Sequence, residues 1–374
     1  MKGLGFVDRA VRRREYARWY QDPPPGPRDG RNPEPIPGGP SRLVVAHGET
    51  LLGPTGAPDA DSIRGMLASG LRSLTGEPDE RAAWGSLLSG LRPGHVIGIK
   101  LNTVAVHLVP QREVVDALVD SLAEVGVERR DVVVWDNLGR LGPMRMRFYG
   151  NLERPEGAYY QGMERAGFAP DSRAAPRVLC TVPRPPGLGY DRAVRAEIPS
   201  RGLRLPVSRI LTRVCDHVIN LPVPKDHRVT GVTCALKNFY GCVPLWDAFR
   251  PTHADRMHAS RGDPQIAELY DNPCISGKVR LHLCDALRAI CDGGPWGEPQ
   301  LEPRSLLLTT DPVALDAYVL AMIDGARRAR GMEPVARRAR YIESAARLGL
   351  GTNDPGSISL VDAFGRSQAW PATN

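Results

Sequence analysis

Of the 49 basic residues in this chain only five are lysine: Lys2, Lys100, Lys225, Lys237 and Lys278. A lysine ammonium is a compact charge on a titratable amine, whereas a guanidinium is planar and permanently charged. A sequence that uses arginine by default therefore keeps lysine where arginine will not serve. Lys225 lies in Asn220-Leu221-Pro222-Val223-Pro224-Lys225-Asp226-His227. There an apolar strand is expected to run out at Leu221, and two prolines hold the next segment extended. Lys225 and His227 are two apart, so on extended backbone they face the same side. Lys237-Asn238 follows the small-residue stretch that begins at Gly231, and Gly241 comes soon after. Such stretches let backbone N–H groups approach a ligand closely. Two amines, an imidazole and an amide in this pattern suit an oxyanion: a carboxylate, phosphate or sulfate.

Further groups could join them. Gly98-Ile99-Lys100-Leu101-Asn102 and Trp135-Asp136-Asn137 each place polar residues at the end of an apolar run. Asp136 there could orient a lysine or histidine, or act as a base. Arg250, His253, Asp255, Arg256 and His258 form a polar cluster, from which His253, His258 and Asp255 could hold a metal. Cys291-Asp292-Gly293-Gly294-Pro295 reads as a helix ending on glycine, with a turn that closes over the pocket. Asp285 precedes that group, and Asp311 and Asp316 flank a helix start, Asp311 as its cap and Asp316 as a structural residue. For each group the plainer alternative is a solvated surface residue or a satisfied core residue.

These groups need a scaffold. Leu43–Ala46, Val96–Leu101, Asp131–Asp136, Arg177–Val182, His217–Leu221 and Ser305–Thr309 are short apolar runs bounded by turn residues, the pattern of strands buried on both faces. Helical spacing is read over Val114–Val125, over Val279–Ile290 and from Pro312 to Ile323. Strands alternating with helices imply an α/β protein with a mainly parallel sheet and helices on both faces. Sites in such sheets lie beyond the carboxyl ends of the strands. Residues 1–41 read as an N-terminal arm rich in Pro and Gly, and 42–374 as one α/β domain. A loop-rich insertion is expected at about 138–206, where periodic runs are few and Pro, Gly and Arg are many.

Composition narrows the function classes. Aromatics at 6% are too sparse for base-stacking platforms, and the charge of +7 is spread rather than gathered in runs, so no nucleic-acid partner is expected. No apolar stretch is long enough to span a bilayer, and the basic N-terminus lacks the apolar segment of an export signal. The expected location is the cytoplasm. Seven cysteines, an odd number without a C-x-x-C pair, argue against a disulfide framework or zinc ribbon. No Walker loop, G-x-S-x-G elbow or H-E-x-x-H motif is present.

The chain resembles the domain-of-unknown-function 362 family. The resemblance rests on Ile99-Lys100-Leu101-Asn102, Pro224-Lys225-Asp226-His227, Leu236-Lys237-Asn238-Phe239-Tyr240-Gly241, Asp292-Gly293-Gly294-Pro295 and Asp311-Pro312-Val313-Ala314-Leu315-Asp316, over roughly residues 95 to 325. It implies an α/β fold and no settled reaction. Some members carry a ferredoxin-type cluster domain, whose cysteine pattern this chain lacks.

The residues themselves suggest an enzyme for a small anionic substrate, which could arrive on an acidic carrier protein. Lys225, Lys237, Lys100 and His227 would do the chemistry: departure of a phosphate or sulfate, or proton transfer next to a carboxylate. Asn102, Asn238, Asp136, Asn137, Arg250, His253 and His258 would bind. No cofactor is expected. The alternatives are a metal or redox protein using His253, His258, Asp255 and the cysteines, and a module that binds an anion without turning it over.

Overall fold

A computed structural model describes residues 41–103, 107–138, 177–182, 189–245 and 253–371. Its strands are β1 (Ser41–His47), β2 (Ile97–Leu101), β3 (Val132–Leu138), β4 (Arg177–Val182), β5 (Tyr190–Ile198), β6 (Leu203–Ser208), β7 (His217–Leu221), β8 (Lys225–His227), β9 (Gly231–Thr233), β10 (Val279–Ala286), β11 (Ser305–Thr309) and β12 (Ile358–Asp362). Eight of them form one sheet in the order β12-β1-β11-β10-β7-β2-β3-β4. Within this sheet β11 runs against its neighbours β1 and β10, and every other adjacent pair is parallel. The expected mainly parallel sheet is thus present.

Helices cover both faces. Ile97, Ile99 and Leu101 of β2, with Val132 and Val134 of β3, pack into one core with α1 (Ala60–Thr75), α2 (Glu80–Leu87) and α3 (Arg112–Ala123). Val133 and Trp135 of β3 face the other core, built with α4 (Gln265–Asp271), α5 (Pro312–Arg328) and α6 (Tyr341–Arg347). The period-two alternation of a strand sends successive side chains to the two cores. Asp59 caps α1 by accepting from Ser62 N, and Gly76 ends it in the left-handed region at φ 77°. Asp311 accepts from Val313 N and Ala314 N and has Pro312 behind it, so it is the cap the sequence suggested for α5.

The stretch Val279–Ile290 is not helical. Residues 279–286 form β10, buried along nearly its whole length. Val279, Leu281 and Leu283 fit a period of two as well as a helical one, and the polar residues between them are themselves buried. A strand enclosed on both faces carries no polar stripe to reveal its period. The glycine turn at Gly293 therefore ends no helix. Residues 1–40, Arg250 and most of the 138–206 segment lie outside the described residues. The described parts of that segment are β4, at the sheet edge, and the antiparallel pair β5–β6.

The strand order fixes where a site can form. From β2 the chain moves outward through β3 and β4, whereas β7 and β10 lie on the other side of β2. The switch point falls between β2 and β7, where departing connections leave a crevice at the carboxyl ends. Register places Lys100 beside Asn220 across that switch point, and Asn220 beside His282 on β10.

Close packing below the crevice gives a test. A Cβ on Gly98 of β2 would lie 2.4 Å from Cys215 Sγ and 3.0 Å from Trp135 Nε1. Gly98→Ala is expected to cost about 1–3 kcal/mol in urea denaturation through overpacking. Adding Cys215→Ala should recover part of that loss.

Candidate functional site

Lys100 ends β2 fully buried. Its ammonium donates to Asp136 Oδ1 at 2.6 Å and to the Leu101 carbonyl at 2.7 Å, and lies 3.4 Å from Asn238 Oδ1. Asp136, at the end of β3, also accepts from Thr103 N and Thr103 Oγ1 at 2.7 Å, both at Oδ2, and from Asn137 N at 2.6 Å. The pair is fully served, as a buried ion pair must be; removing one partner of such a pair typically costs about 3–5 kcal/mol. Gly241 packs closely beside it: a Cβ there would sit 3.1 Å from both Lys100 Nζ and Asp136 Oδ1.

A row of amides continues from this pair. Lys225 Nζ donates to Asn102 Oδ1 at 2.8 Å, and Asn102 Nδ2 donates to Asn238 Oδ1 at 3.1 Å. Asn238 Nδ2 donates to Asn220 Oδ1 at 2.7 Å. Asn220 Nδ2 reaches the Ala235 carbonyl at 3.0 Å and His282 Nδ1 at 2.9 Å. His282 Nε2 then carries the proton and donates to Tyr270 OH at 3.1 Å. Each amide is fixed by partners at both ends. Burial takes His282 down to about 3, which keeps it neutral.

Lys225 and Lys237 are different. Burial pulls both ammonium groups down to about 7; for Lys225 the nearby Lys237 adds to the fall and Asp136 opposes it. Lys237 begins the short helix Lys237–Cys242, and its amine stands 5.1 Å from the centre of the Tyr240 ring. It donates to no acceptor among the described residues. Asp316 of α5 positions the start of this turn: its carboxylate accepts from Ala235 N at 2.6 Å, Leu236 N at 3.3 Å and Tyr341 OH at 3.1 Å. Burial raises Asp316 to about 7.

His227 stacks on His258 with ring centres 5.6 Å apart and planes 12° apart, and Tyr240 meets His258 edge-on at 5.3 Å. His227 Nδ1 accepts from Val229 N and Thr230 N, both at 3.1 Å. His258 Nδ1 faces the Ala254 carbonyl at 2.8 Å. Burial, and then the Lys237 charge, hold His227 well below its ordinary range and His258 at about 4. Asp226 faces away from this group. Its Oδ1 accepts from Gly294 N at 2.7 Å, and Arg327 Nη1 lies 4.0 Å from Oδ2. A Cβ on Gly294 would come within 2.1 Å of Asp226 O and Oδ1, so the Gly-Gly-Pro turn braces the back of β8.

The structure thus brings Lys100, Asn102, Asp136, Lys225, His227, Lys237, Asn238 and His258 into one neighbourhood. Asn137 sits at its margin, accepting from Tyr190 OH at 2.9 Å. His253 holds the N-cap position of the short helix Ala254–His258 without a side-chain capping bond, and its Nδ1 is buried with no partner among the described residues. Among the described residues no three His, Cys, Asp or Glu side chains are grouped to hold a metal. Asp285 is apart from the site and accepts from Gln111 N and Leu287 N. Thr103, Asn220, Tyr240 and His282 were not singled out from sequence. Asn220 lay in the strongest motif, but its role depends on strand register. An open groove of about 720 Å³ beside α5, lined by Val45, His47, Tyr318, Met322 and Gln368 among others, shares no residue with this site. Among the described residues no helix is long and apolar enough to cross a membrane.

Comparison with known proteins places the chain in a family without an assigned reaction. The model of a domain of unknown function, DUF362, matches residues 97–321, more than half of the chain. No curated protein matches the sequence significantly. Among solved structures, the lactate racemase apoprotein from Thermoanaerobacterium thermosaccharolyticum aligns with a TM-score of 0.36 and 13% identity, over 62% of this chain and 49% of that one. A structural-genomics protein from Thermotoga maritima aligns with a TM-score of 0.35 and 12% identity, over 80% of this chain and 60% of that one. The chain therefore spans about half the length of the first and 60% of the second, likenesses too low to bear on chemistry. The matched region runs from β2 into α5 and contains every residue of the lysine and amide cluster, and the chain belongs to the DUF362 family.

Proposed function

We propose that this protein is an enzyme that binds a small anionic substrate at the β2–β7 switch point and stabilises an oxyanion there with Lys225 and Lys237. The observation that carries this reading is that two buried lysines lack a carboxylate partner among the described residues. Asp136 is committed to Lys100, and among the described residues no carboxylate is hydrogen-bonded to Lys225 or Lys237. Burial holds both amines near neutrality, so an arriving anion would draw protons onto them and be met by charge in a dry site. His227 enters as a neutral hydrogen-bond donor rather than a proton carrier. Its Nδ1 accepts two backbone N–H bonds, so the ring proton is on Nε2.

This donor set suits departure of an oxyanion such as phosphate or sulfate, in an elimination or displacement. One observation favours a second reading, proton transfer next to a carboxylate: an amine near 7 can act as base and acid at neutral pH. Lys225→Met with retained anion binding but lost turnover would mark catalysis. A ligand always recovered unchanged would mark a binding module instead.

Two measurements test the amines. In the ligand-free protein both lysines bind fewer protons than in the unfolded chain between about pH 7 and 10.5. Stability therefore rises with pH there, by at most about 1.4 kcal/mol per pH unit for each lysine. The rise should be clearest from about pH 7 to 8.5, before the cysteines titrate in the unfolded chain. Denaturation curves of Lys225→Met and Lys237→Met should each show a shallower slope, and slopes equal to that of the parent would sink the assignment. Titration calorimetry with inorganic phosphate or sulfate near pH 7.5, repeated in buffers of different ionisation heat, should show uptake of about one proton per anion, beyond any uptake by the anion itself.

A further inference from the structure

The tautomers of the stacked histidines specify more than an anion. His227 Nδ1 receives two N–H donors, so the neutral ring carries its proton on Nε2 and presents a donor there. His258 is the reverse. A carbonyl oxygen only accepts, so His258 Nδ1 must carry the proton it gives to Ala254 O, and its Nε2 presents a lone pair. Neither Nε2 has a hydrogen-bond partner among the described residues. Both rings lie close enough to Lys237 for its charge to depress their protonation. A site meant only for an anion has no use for an acceptor, because a lone pair repels negative charge.

Resting on the anion-site reading above, we infer that the substrate is an anion with a neighbouring hydroxyl group, whose O–H is received by His258 Nε2 while Lys237 and His227 Nε2–H take the anionic oxygens. An ammonium in place of the hydroxyl would be repelled by Lys225 and Lys237. The backbone carbonyl of Ala254 fixes the His258 tautomer, and the stacked His227 and edge-on Tyr240 hold its ring. A partly buried acceptor held in this way discriminates, since a ligand lacking the hydroxyl leaves it unpaired.

The test compares matched acids on the full chain: glycolate against acetate, and 3-hydroxypropionate against propionate, by titration calorimetry near pH 7.5. In at least one pair the hydroxy acid should bind about tenfold tighter or more, and in His258→Phe that ratio should fall towards one. Equal binding of acid and hydroxy acid in both pairs would overturn the hydroxyl inference and leave the anion site standing. Failure of all four acids, phosphate and sulfate to bind would overturn the anion site itself, and with it this inference. If His258→Phe does not fold, the ratio measured on the unaltered protein decides alone. A ratio that persists in a folded His258→Phe would move the acceptor to another residue and refute the role given to His258.

Discussion

The arrangement of this protein hangs on one buried ion pair. Lys100 and Asp136 meet at 2.6 Å at the carboxyl ends of neighbouring parallel strands, with almost no access to water. A buried charge is costly unless it is paired and every remaining hydrogen-bonding position is filled. Leu101, Thr103, Asn137 and Asn238 do that filling. In doing so they fix the chain as it leaves β2 and β3 and hold the side chain of Asn238. The amide row through Asn102, Asn238 and Asn220 depends on that anchor, because each amide oxygen and nitrogen has only one orientation that satisfies its neighbours.

Against this fully paired background the unpaired groups stand out. Among the described residues Lys225 has one acceptor and Lys237 has none, yet both residues are buried. Natural interiors seldom leave polar groups in that state, and those left so call for an explanation. Burial lowers the cost by favouring the neutral amine. The same burial prepares a strong response to an anion, since a charge formed in a medium of low polarisability attracts its partner more than it would in water. The rigid row behind the amines limits how far they can relax, and so helps keep them preorganised.

The support of this site is spread along the chain. Asp316 on α5 orders the turn leading to Lys237, and the Gly293-Gly294 turn braces β8 through Asp226. Segments 68 to 81 residues apart are thereby coupled to the same few amines. The matched family region, residues 97–321, takes in both supports together with the amines they position.

The sequence by itself determined the α/β class and the Asp311 cap, and it marked the lysines as candidates. Apolar runs, turn residues and the scarcity of lysine are local properties that can be read without coordinates. It also paired Lys225 with His227, because two residues of extended chain put side chains on one face. It misread Val279–Ile290, where an enclosed strand with buried Arg280, His282 and Asp285 shows no period of its own. Tertiary structure alone decided the register that sets Lys100, Asn220 and His282 side by side, since strands distant in sequence carry no mark of their alignment. It alone decided the histidine tautomers too, because those depend on which backbone groups happen to face each ring nitrogen.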